Sequence, residues 1–504
     1  MRRLPPPQGE DLRIDVDEVM AANEVSDYKG MVSLATGLAE KAKPLGARYL
    51  LSKALQFRCA ALRNLGDPKG AMATCREAHD ISAAIGDRAG EAAAINTTAN
   101  VLYDQGDLDG ARKLYDQAAS IYRSIGSTAG VAAATDNAAS VISDQGDLVT
   151  ARKMSEEALS LYREVGDQTG IGQTLNNIAA QMVQAGDLSA AEKNFQAALD
   201  IWRAMGSPDG AATALTNIGE MRMALGEISG ARSAYQESLE TFRKNGENSK
   251  AAYPLVGLGD TYAASGDFTN AKKSYEEALG FSREVGEKHE MAVALANLGS
   301  VLAQQSDLKG AREKYQETIR LRNEIGEKSG AAEITLLLAN LAIDEGHPSE
   351  GEASARSALV EFRASKMPEL ELSAHAILAQ ALLDQGKISQ AAKEIAAGKP
   401  LAAKTQQRLT RLQFEIASAQ VQAASRKPSD LKASTAALNA VIQETERIGL
   451  LSHLFEARLA LGNIEMKYGS RADGRALLAA VQKDGTASGF MMIANRAAQA
   501  LGQS

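Results

Sequence analysis

Asparagine and aspartate recur in this sequence at multiples of forty residues. Asn137, Asn177, Asn217 and Asn297 share one column, with Thr97 at its head. The preceding column holds Asn96, Asp136 and Asn176. A third holds Asn100, Ser140, Glu220, Asp260, Ser300 and Asn340, and a fourth holds Asp104, Asp144, Gln184 and Asp344. An asparagine amide both donates and accepts hydrogen bonds, whereas a carboxylate only accepts. Rows of such groups suit reversible hydrogen bonding rather than covalent chemistry. Two uses are open: pairing with the main chain of an extended ligand, or bridging helices within the fold.

Other chemistry finds little material. His79, His289, His347, His375 and His453 stand apart, with no metal-ligand spacing among them, and read as surface or packing residues. Neither a nucleophile elbow, nor paired catalytic carboxylates, nor a phosphate-binding glycine loop occurs, so no enzyme activity, cofactor or metal is expected. The two cysteines, Cys59 and Cys75, suggest no disulfide framework, and Cys75 falls in a column of core knobs. The net charge is −8 with scattered Lys and Arg, which argues against a nucleic-acid partner. No apolar run is long enough to span a membrane, so no membrane partner is expected. The opening "MRRLPPPQGED" lacks the apolar core of a secretory signal. These features together predict a cytoplasmic setting.

The elements that must position the polar columns are helices. Gly66, Gly106, Gly146, Gly186, Gly226, Gly266, Gly346 and Gly386 form one column, with Ser306 in the missing place. Gly46, Gly86, Gly126, Gly166, Gly206, Gly246, Gly286 and Gly326 form a second, twenty residues out of step. Between the glycines the apolar spacing is helical. In 107–126, Leu108, Ala111, Tyr115, Ala118, Ala119 and Tyr122 recur at three and four residues. Asp107 precedes this stripe, where it can accept the free amide hydrogens of a first turn. Gly126 suits a left-handed C-terminal cap. The repeated "QGDL" is therefore a helix–helix corner, and each period predicts two helices joined by tight turns. Arg123, Arg163, Arg203, Arg243 and Arg283 fall near second-helix ends, where a cation opposes the negative end of the helix.

Small residues form columns of their own. Ala99, Ala139, Ala179, Gly219, Gly259, Gly299 and Ala339 lie on the first helix. Ala111, Ala151, Ala191, Ala231, Ala271 and Ala311, then Ala118, Ala158, Ala198, Ala278 and Ala358, lie on the second. Tyr115, Phe195, Tyr235, Tyr275 and Tyr315 supply knobs, and Trp202 reads as packing. These columns resemble the tetratricopeptide repeat, in a forty-residue variety, from about residue 47 to 400. The resemblance implies an all-α fold, a right-handed superhelical solenoid of antiparallel helix pairs. The expected layout is a flexible linker over 1–13, a divergent helix pair over 14–46 and the tandem array over 47–400. Divergent helical repeats with a closing helix, carrying Met491 and Met492, follow over 401–504. Terminal repeats of a solenoid commonly diverge because one face lacks a neighbour.

The resemblance also implies that first helices line a concave groove, which makes the polar columns candidate partner-binding residues: Asn96, Asn100, Asp104, Asp136, Asn137, Asn176, Asn177, Asn217, Glu220, Asp260, Asn297 and Asn340. The family's clamp for a peptide carboxylate is incomplete. Asn100 and Asn137 match it, but its cationic places hold Asn96, Gln173 and Asn177. The expected partner is a protein or peptide, neutral or basic rather than acidic. A narrower likeness joins "LRIDVDEVMAANEVSDYKG" and the closing "GFMMIANRAAQAL" to the repeat segments of bacterial signalling proteins that carry a kinase or winged-helix domain upstream. No "HRD" or "DFG" occurs, so neither activity is carried over. The leading expectation is a non-catalytic scaffold in bacterial signalling or regulation. The alternative is the sensing segment of a regulator whose output domain is separate.

Overall fold

The computed structural model describes residues 11–24, 27–245 and 250–502. Of the lead-in expected over 1–13, residues 1–10 lie outside these, and Leu12 and Arg13 already belong to the first helix. The described residues form twenty-five α-helices. The first nine are α1 (Leu12–Glu24), α2 (Tyr28–Ala42), α3 (Arg48–Asn64), α4 (Pro68–Ala84), α5 (Arg88–Asp104), α6 (Leu108–Ser124), α7 (Thr128–Asp144), α8 (Leu148–Val165) and α9 (Gln168–Gln184). Then come α10 (Leu188–Ala204), α11 (Pro208–Ala224), α12 (Ile228–Lys244), α13 (Ala252–Ala264), α14 (Phe268–Val285), α15 (Lys288–Gln304), α16 (Leu308–Glu324), α17 (Lys328–Asp344) and α18 (Pro348–Ala364). The last seven are α19 (Pro368–Asp384), α20 (Ile388–Ala402), α21 (Arg408–Ala423), α22 (Pro428–Ile448), α23 (Leu451–Tyr468), α24 (Arg471–Ala487) and α25 (Met491–Gly502). They pair consecutively as an all-α solenoid of antiparallel helix pairs. The chain divides into two compact units. Unit 1 holds residues 1–185 and 200–205, and unit 2 holds 186–199 and 206–504.

The corner at Gly106–Asp107 is built from two fused caps. Gly106 takes φ 79°, a left-handed conformation that costs a residue with a Cβ about 1–2 kcal/mol. Its N–H donates to Tyr103 O, and Asp107 N–H donates to Leu102 O, the paired bonds of a Schellman motif. Asp107 then starts the next helix, its Oδ1 accepting from Gly110 N at 2.9 Å. One residue thus ends one helix and caps the next. The same construction recurs at Gly66–Asp67, Gly146–Asp147 and Gly266–Asp267. Ser306 (φ 69°) and Lys366 (φ 55°) occupy the left-handed place without the freedom of glycine.

Between helices, small residues receive aromatic rings. A Cβ on Gly219 would lie 2.7 Å from Tyr235 Cε1, and one on Gly299 would lie 2.8 Å from Tyr315 Cε1. The glycine is therefore the socket for the tyrosine sixteen residues later. Trp202 packs against Gly172 in the same manner. Unit 1 buries its apolar side chains in separate small groups, each shared by adjacent helices, as in Ala99, Ala111, Tyr115, Ala138 and Val141. That is the quasi-one-dimensional pattern of a solenoid. Unit 2 differs. Its largest group joins Tyr235, Phe268, Tyr275 and Leu298 of the repeats to Phe455, Phe490, Ile493 and Ala497 near the C-terminus. The C-terminal helices fold back onto α13–α17 rather than prolonging the array. Phe490 meets Phe268 edge-on with ring centres 4.8 Å apart. Met492 joins Ala296, Ala303, Ile334 and Leu341, so the closing apolar face packs onto earlier repeats rather than onto the last one.

The cysteines correct the sequence reading. Cys59 on α3 and Cys75 on α4 are joined in a disulfide with Cα atoms 5.4 Å apart. Both are fully buried and pack with Ala71 and Val101. Cys75 is a core knob as expected, but the knob is cross-linked. The composition hides this because the bond forms between helices of one repeat, at a separation of sixteen residues.

Reduction of the Cys59–Cys75 bond opens a loop of sixteen residues. It should lower the stability of the intact chain's first transition by about 3 kcal/mol. Urea titrations with and without dithiothreitol, followed by circular dichroism, measure this. By the same method Lys366→Gly should stabilise the chain by about 1 kcal/mol, because glycine relieves the left-handed backbone.

Candidate partner-binding surface

The first helices of unit 1 are α3, α5, α7 and α9, and each lies beside the next. Their facing residues are joined by hydrogen bonds that span forty-one residues. At the C-terminal ends, Arg63 donates to Asp104 at 2.5 Å, Tyr103 to Asp144 at 2.6 Å and Ser143 to Gln184 at 2.7 Å. Two turns earlier, Asn137 Nδ2 donates to Asn96 Oδ1 at 3.4 Å and Asn177 Nδ2 to Asp136 Oδ2 at 2.8 Å. The columns therefore bridge neighbouring helices, one of the two uses open to them from the sequence. The spacing is forty-one because each residue reaches the position one further along the next first helix.

The bridges differ in what they leave over. Asp136 is buried and also accepts from Thr174 Oγ1 at 3.0 Å. Burial pushes its carboxyl above the ordinary range, against the pull of its hydroxyl and amide donors. Removing Asn177 would strip one of these donors from an enclosed carboxylate. Asn96 and Asn137 are only half-buried. Their single mutual bond leaves the Asn96 amide hydrogens and the Asn137 carbonyl oxygen without partners among the described residues. Asn100 accepts from Tyr115 Oη at 2.6 Å, so it anchors the knob of its own repeat. Asn176 sits beside Asn177 on α9 and is half-buried. No other helix of unit 1 crosses this face: α1 to α9 each pack against the next, and first helices against first helices.

In unit 2 the corresponding face is covered. Asp260 Oδ1 accepts from Tyr275 Oη at 2.6 Å and from Asn297 Nδ2 at 3.0 Å. Together they line a cavity of about 210 Å³ whose far wall includes Ser452 and Phe490 of the C-terminal helices. Asn340 lines a second, of about 80 Å³, with Gln413, Gln420 and Arg496 opposite. Arg496 Nη1 reaches Asp344 Oδ1 at 3.4 Å, and Asn495 Nδ2 donates to Ser306 Oγ at 3.1 Å. A helix with its side chains is about 10–12 Å across and does not fit these spaces. Glu220 reaches solvent, yet the surrounding protein pushes its carboxyl above the usual range. Asn217 precedes it by three residues on α11 and is half-buried.

Sequence reasoning missed Arg63, Tyr103 and Ser143, the donors of the outer bridges. Their signal was available: each lies forty-one residues before an acceptor in the fourth column. It also missed the acceptors of the tyrosine knobs. Asn100, Asp260 and Ser300 each lie fifteen residues before Tyr115, Tyr275 and Tyr315, whose hydroxyls they meet. Among the described residues no group of three His, Cys, Asp or Glu could hold a metal, and no helix is long and apolar enough to cross a membrane.

Asp260 makes the fold pH-dependent in a definite direction. Burial, with repulsion from Glu220, raises its carboxyl from 3.8 to about 7, although Tyr275 donates to it. The folded state therefore holds this proton more tightly than the unfolded chain. The contribution is fully present below about pH 4 and is lost as the pH rises through about 7. Asp260→Asn keeps an acceptor for Tyr275 and removes the ionisation. In urea titrations at pH 4.5 and 7.5, the variant should gain stability relative to the parent at the higher pH. An unchanged gap would mean that Asp260 is not titrating in the fold.

The tetratricopeptide-repeat family models match residues 92–125, 130–204, 210–284 and 250–324. A search of curated proteins finds no match. Among solved structures, the chain is similar to the apo form of the quorum sensor NprR from B. thuringiensis. The two are 14% identical, with 69% of this chain and 98% of that one covered and a TM-score of 0.48. It is also similar to a Rap protein complexed with competence and sporulation factor, at 14% identity, 68% and 99% coverage and a TM-score of 0.45. A third is a STAND signal-transduction ATPase with a tetratricopeptide-repeat sensor from Pyrococcus horikoshii, at 14% identity, 75% and 53% coverage and a TM-score of 0.43. Residues 92–324 thus carry tetratricopeptide repeats, and the same helix pair recurs on either side of them.

Proposed function

We propose that this protein is a non-catalytic scaffold that holds an extended peptide segment of a partner along the first helices of unit 1. The observation that carries this reading is the uncovered face of α5 and α7, where Asn96 and Asn137 keep unused amide hydrogens and a carbonyl oxygen. Main-chain groups of a strand-like ligand match those valences whatever its side chains. Asp104, Asp136, Asp144, Asn176 and Asn177 extend the same surface. Its carboxylates outnumber its cations, which favours a neutral or basic segment and disfavours an acidic tail. Asp260, Asn297 and Asn340 belong to the covered face of unit 2, and Asn217 and Glu220 lie on α11 of the same unit; in this reading none of them takes the peptide. A place in bacterial signalling or regulation follows from the likeness of the forty-residue units, the opening stretch and the closing helix to repeat segments of such proteins.

The test uses peptide pools and one double variant. Fluorescent ten-residue random peptides in three pools, lysine-bearing, uncharged and glutamate-bearing, are titrated against the whole chain. The lysine-bearing and uncharged pools should bind, and the glutamate-bearing pool should bind weakest. Asn96→Ala with Asn137→Ala should weaken binding about ten-fold, equivalent to about 1.4 kcal/mol. Both partners of one bridge are removed together, so neither is left unsatisfied and the melting curve should hardly move. Lys113→Ala, on an exposed part of α6, serves as the control. Binding that ignores the double substitution sinks the groove reading, and preference for the glutamate-bearing pool sinks the charge reading.

A further inference from the structure

We propose that the cavity between α13–α15 and the C-terminal helices of unit 2 is a binding site for a small protonated amine with a flat apolar body. This site is separate from the peptide surface of unit 1 and stands without it. Its volume is about 210 Å³. A cavity of about 150 Å³ is enough to take up benzene, so the space admits an aromatic ring and a short arm. The walls divide by chemistry. Phe268, Tyr275 and Phe490 supply aromatic surface, with Phe490 held edge-on by Phe268 and Phe455. Asp260 and Asn297 supply the polar end.

Asp260 identifies the charge of the ligand. Both of its donors, Tyr275 Oη and Asn297 Nδ2, use the same oxygen, Oδ1. Oδ2 has no hydrogen-bond partner among the described residues. No Lys or Arg lines the cavity. Glu220, itself acidic, repels Asp260. The neighbouring His453 cannot compensate, because burial lowers its pKa and favours the neutral ring. Tyr275 and Tyr235, the other titratable groups nearby, are driven up by burial and stay neutral. An enclosed carboxylate with a spare oxygen and no counter-ion is a costly arrangement unless a cation arrives. Aromatic faces beside it add attraction for the same charge. An anion would meet the Asp260 carboxylate. A neutral ring would leave the spare oxygen unpaired. Asp260 keeps partial solvent contact, so the space is not sealed.

The probe is 2-phenylethylamine, with 2-phenylethanol and 3-phenylpropanoate as neutral and anionic matches, titrated calorimetrically into the full chain. One amine should bind per chain, at least ten-fold tighter than the alcohol, and the propanoate should not bind. Affinity for the amine should rise from pH 5.5 to pH 8 as Asp260 loses its proton. At pH 7 the binding heat should vary with the ionisation enthalpy of the buffer, since a proton is displaced. Asp260→Asn should reduce the amine to the level of the alcohol. Ala264→Leu, which fills the cavity from the next turn of α13 and leaves the carboxylate in place, should weaken both. Circular dichroism confirms that each variant is folded, and should Asp260→Asn fail to fold, Ala264→Leu and the amine–alcohol comparison decide. Equal binding of amine and alcohol, no binding of the amine, or binding indifferent to the variants would each overturn the proposal.

Discussion

The fused corner is the constraint on which the rest of the structure depends. A left-handed glycine closes one helix, and the next residue, an aspartate, both completes that closure and caps the following helix. Nothing can be inserted there without breaking one cap or the other, and losing the aspartate's bond alone costs about 1 kcal/mol. Where both corners of a repeat are closed by a left-handed glycine, helix length is fixed, and so is the period. A fixed period places residue n beside residue n + 41 on the next first helix, repeat after repeat. The bridges Arg63–Asp104, Tyr103–Asp144 and Ser143–Gln184 are one consequence of that register. They can vary in chemistry, from ion pair to phenol to hydroxyl, because the backbone rather than the pair sets the spacing.

The same register explains why polar residues in the inner columns are not simply free for a ligand. A tyrosine knob must bury its ring against a glycine or alanine socket, and its hydroxyl then needs an acceptor. The residue after the socket supplies it: Asn100 follows Ala99, Asp260 follows Gly259, and Ser300 follows Gly299. A polar column beside a column of small residues is therefore partly a packing requirement. The polar groups with hydrogen-bonding capacity to spare are those whose bridging bond uses only half of an amide, as at Asn96 and Asn137.

Much of this was legible in the sequence. The glycine columns, the aspartate caps, the small sockets and the aromatic knobs are local features with a short period, and the helix pairs follow from them. The pairing partners were harder to see, because a donor such as Tyr103 looks like one more apolar residue until its distance to Asp144 is counted. Two features could not be read at all. The Cys59–Cys75 bond depends on how α3 and α4 face each other, and two cysteines sixteen residues apart carry no sign of it. The return of α21–α25 depends on contacts across more than 150 residues, such as Asn495 with Ser306 and Arg496 with Asp344. Their sequences repeat the helix-pair pattern, which says that each helix has a neighbour but not which one.

That return also separates the two units by what each can hold. A solenoid leaves its last repeat with one bare apolar face, and a polar outer surface on a capping helix is the usual remedy. Unit 2 instead spends that face inward: Phe455, Phe490, Met492 and Ile493 cover the inner side of α13–α17, and the space between shrinks to cavities of about 80 and 210 Å³. A chain segment no longer fits, but the polar column beneath is now enclosed, and enclosure strengthens every charge in it. Asp260 changes accordingly from a surface hydrogen-bond acceptor into a group whose ionisation the fold resists. In unit 1 the equivalent column holds Asn100 and Ser140, neither of which ionises. One repeat motif thus yields two kinds of polar surface, a row of half-used amides in unit 1 and a carboxylate facing a small space beneath the C-terminal helices in unit 2.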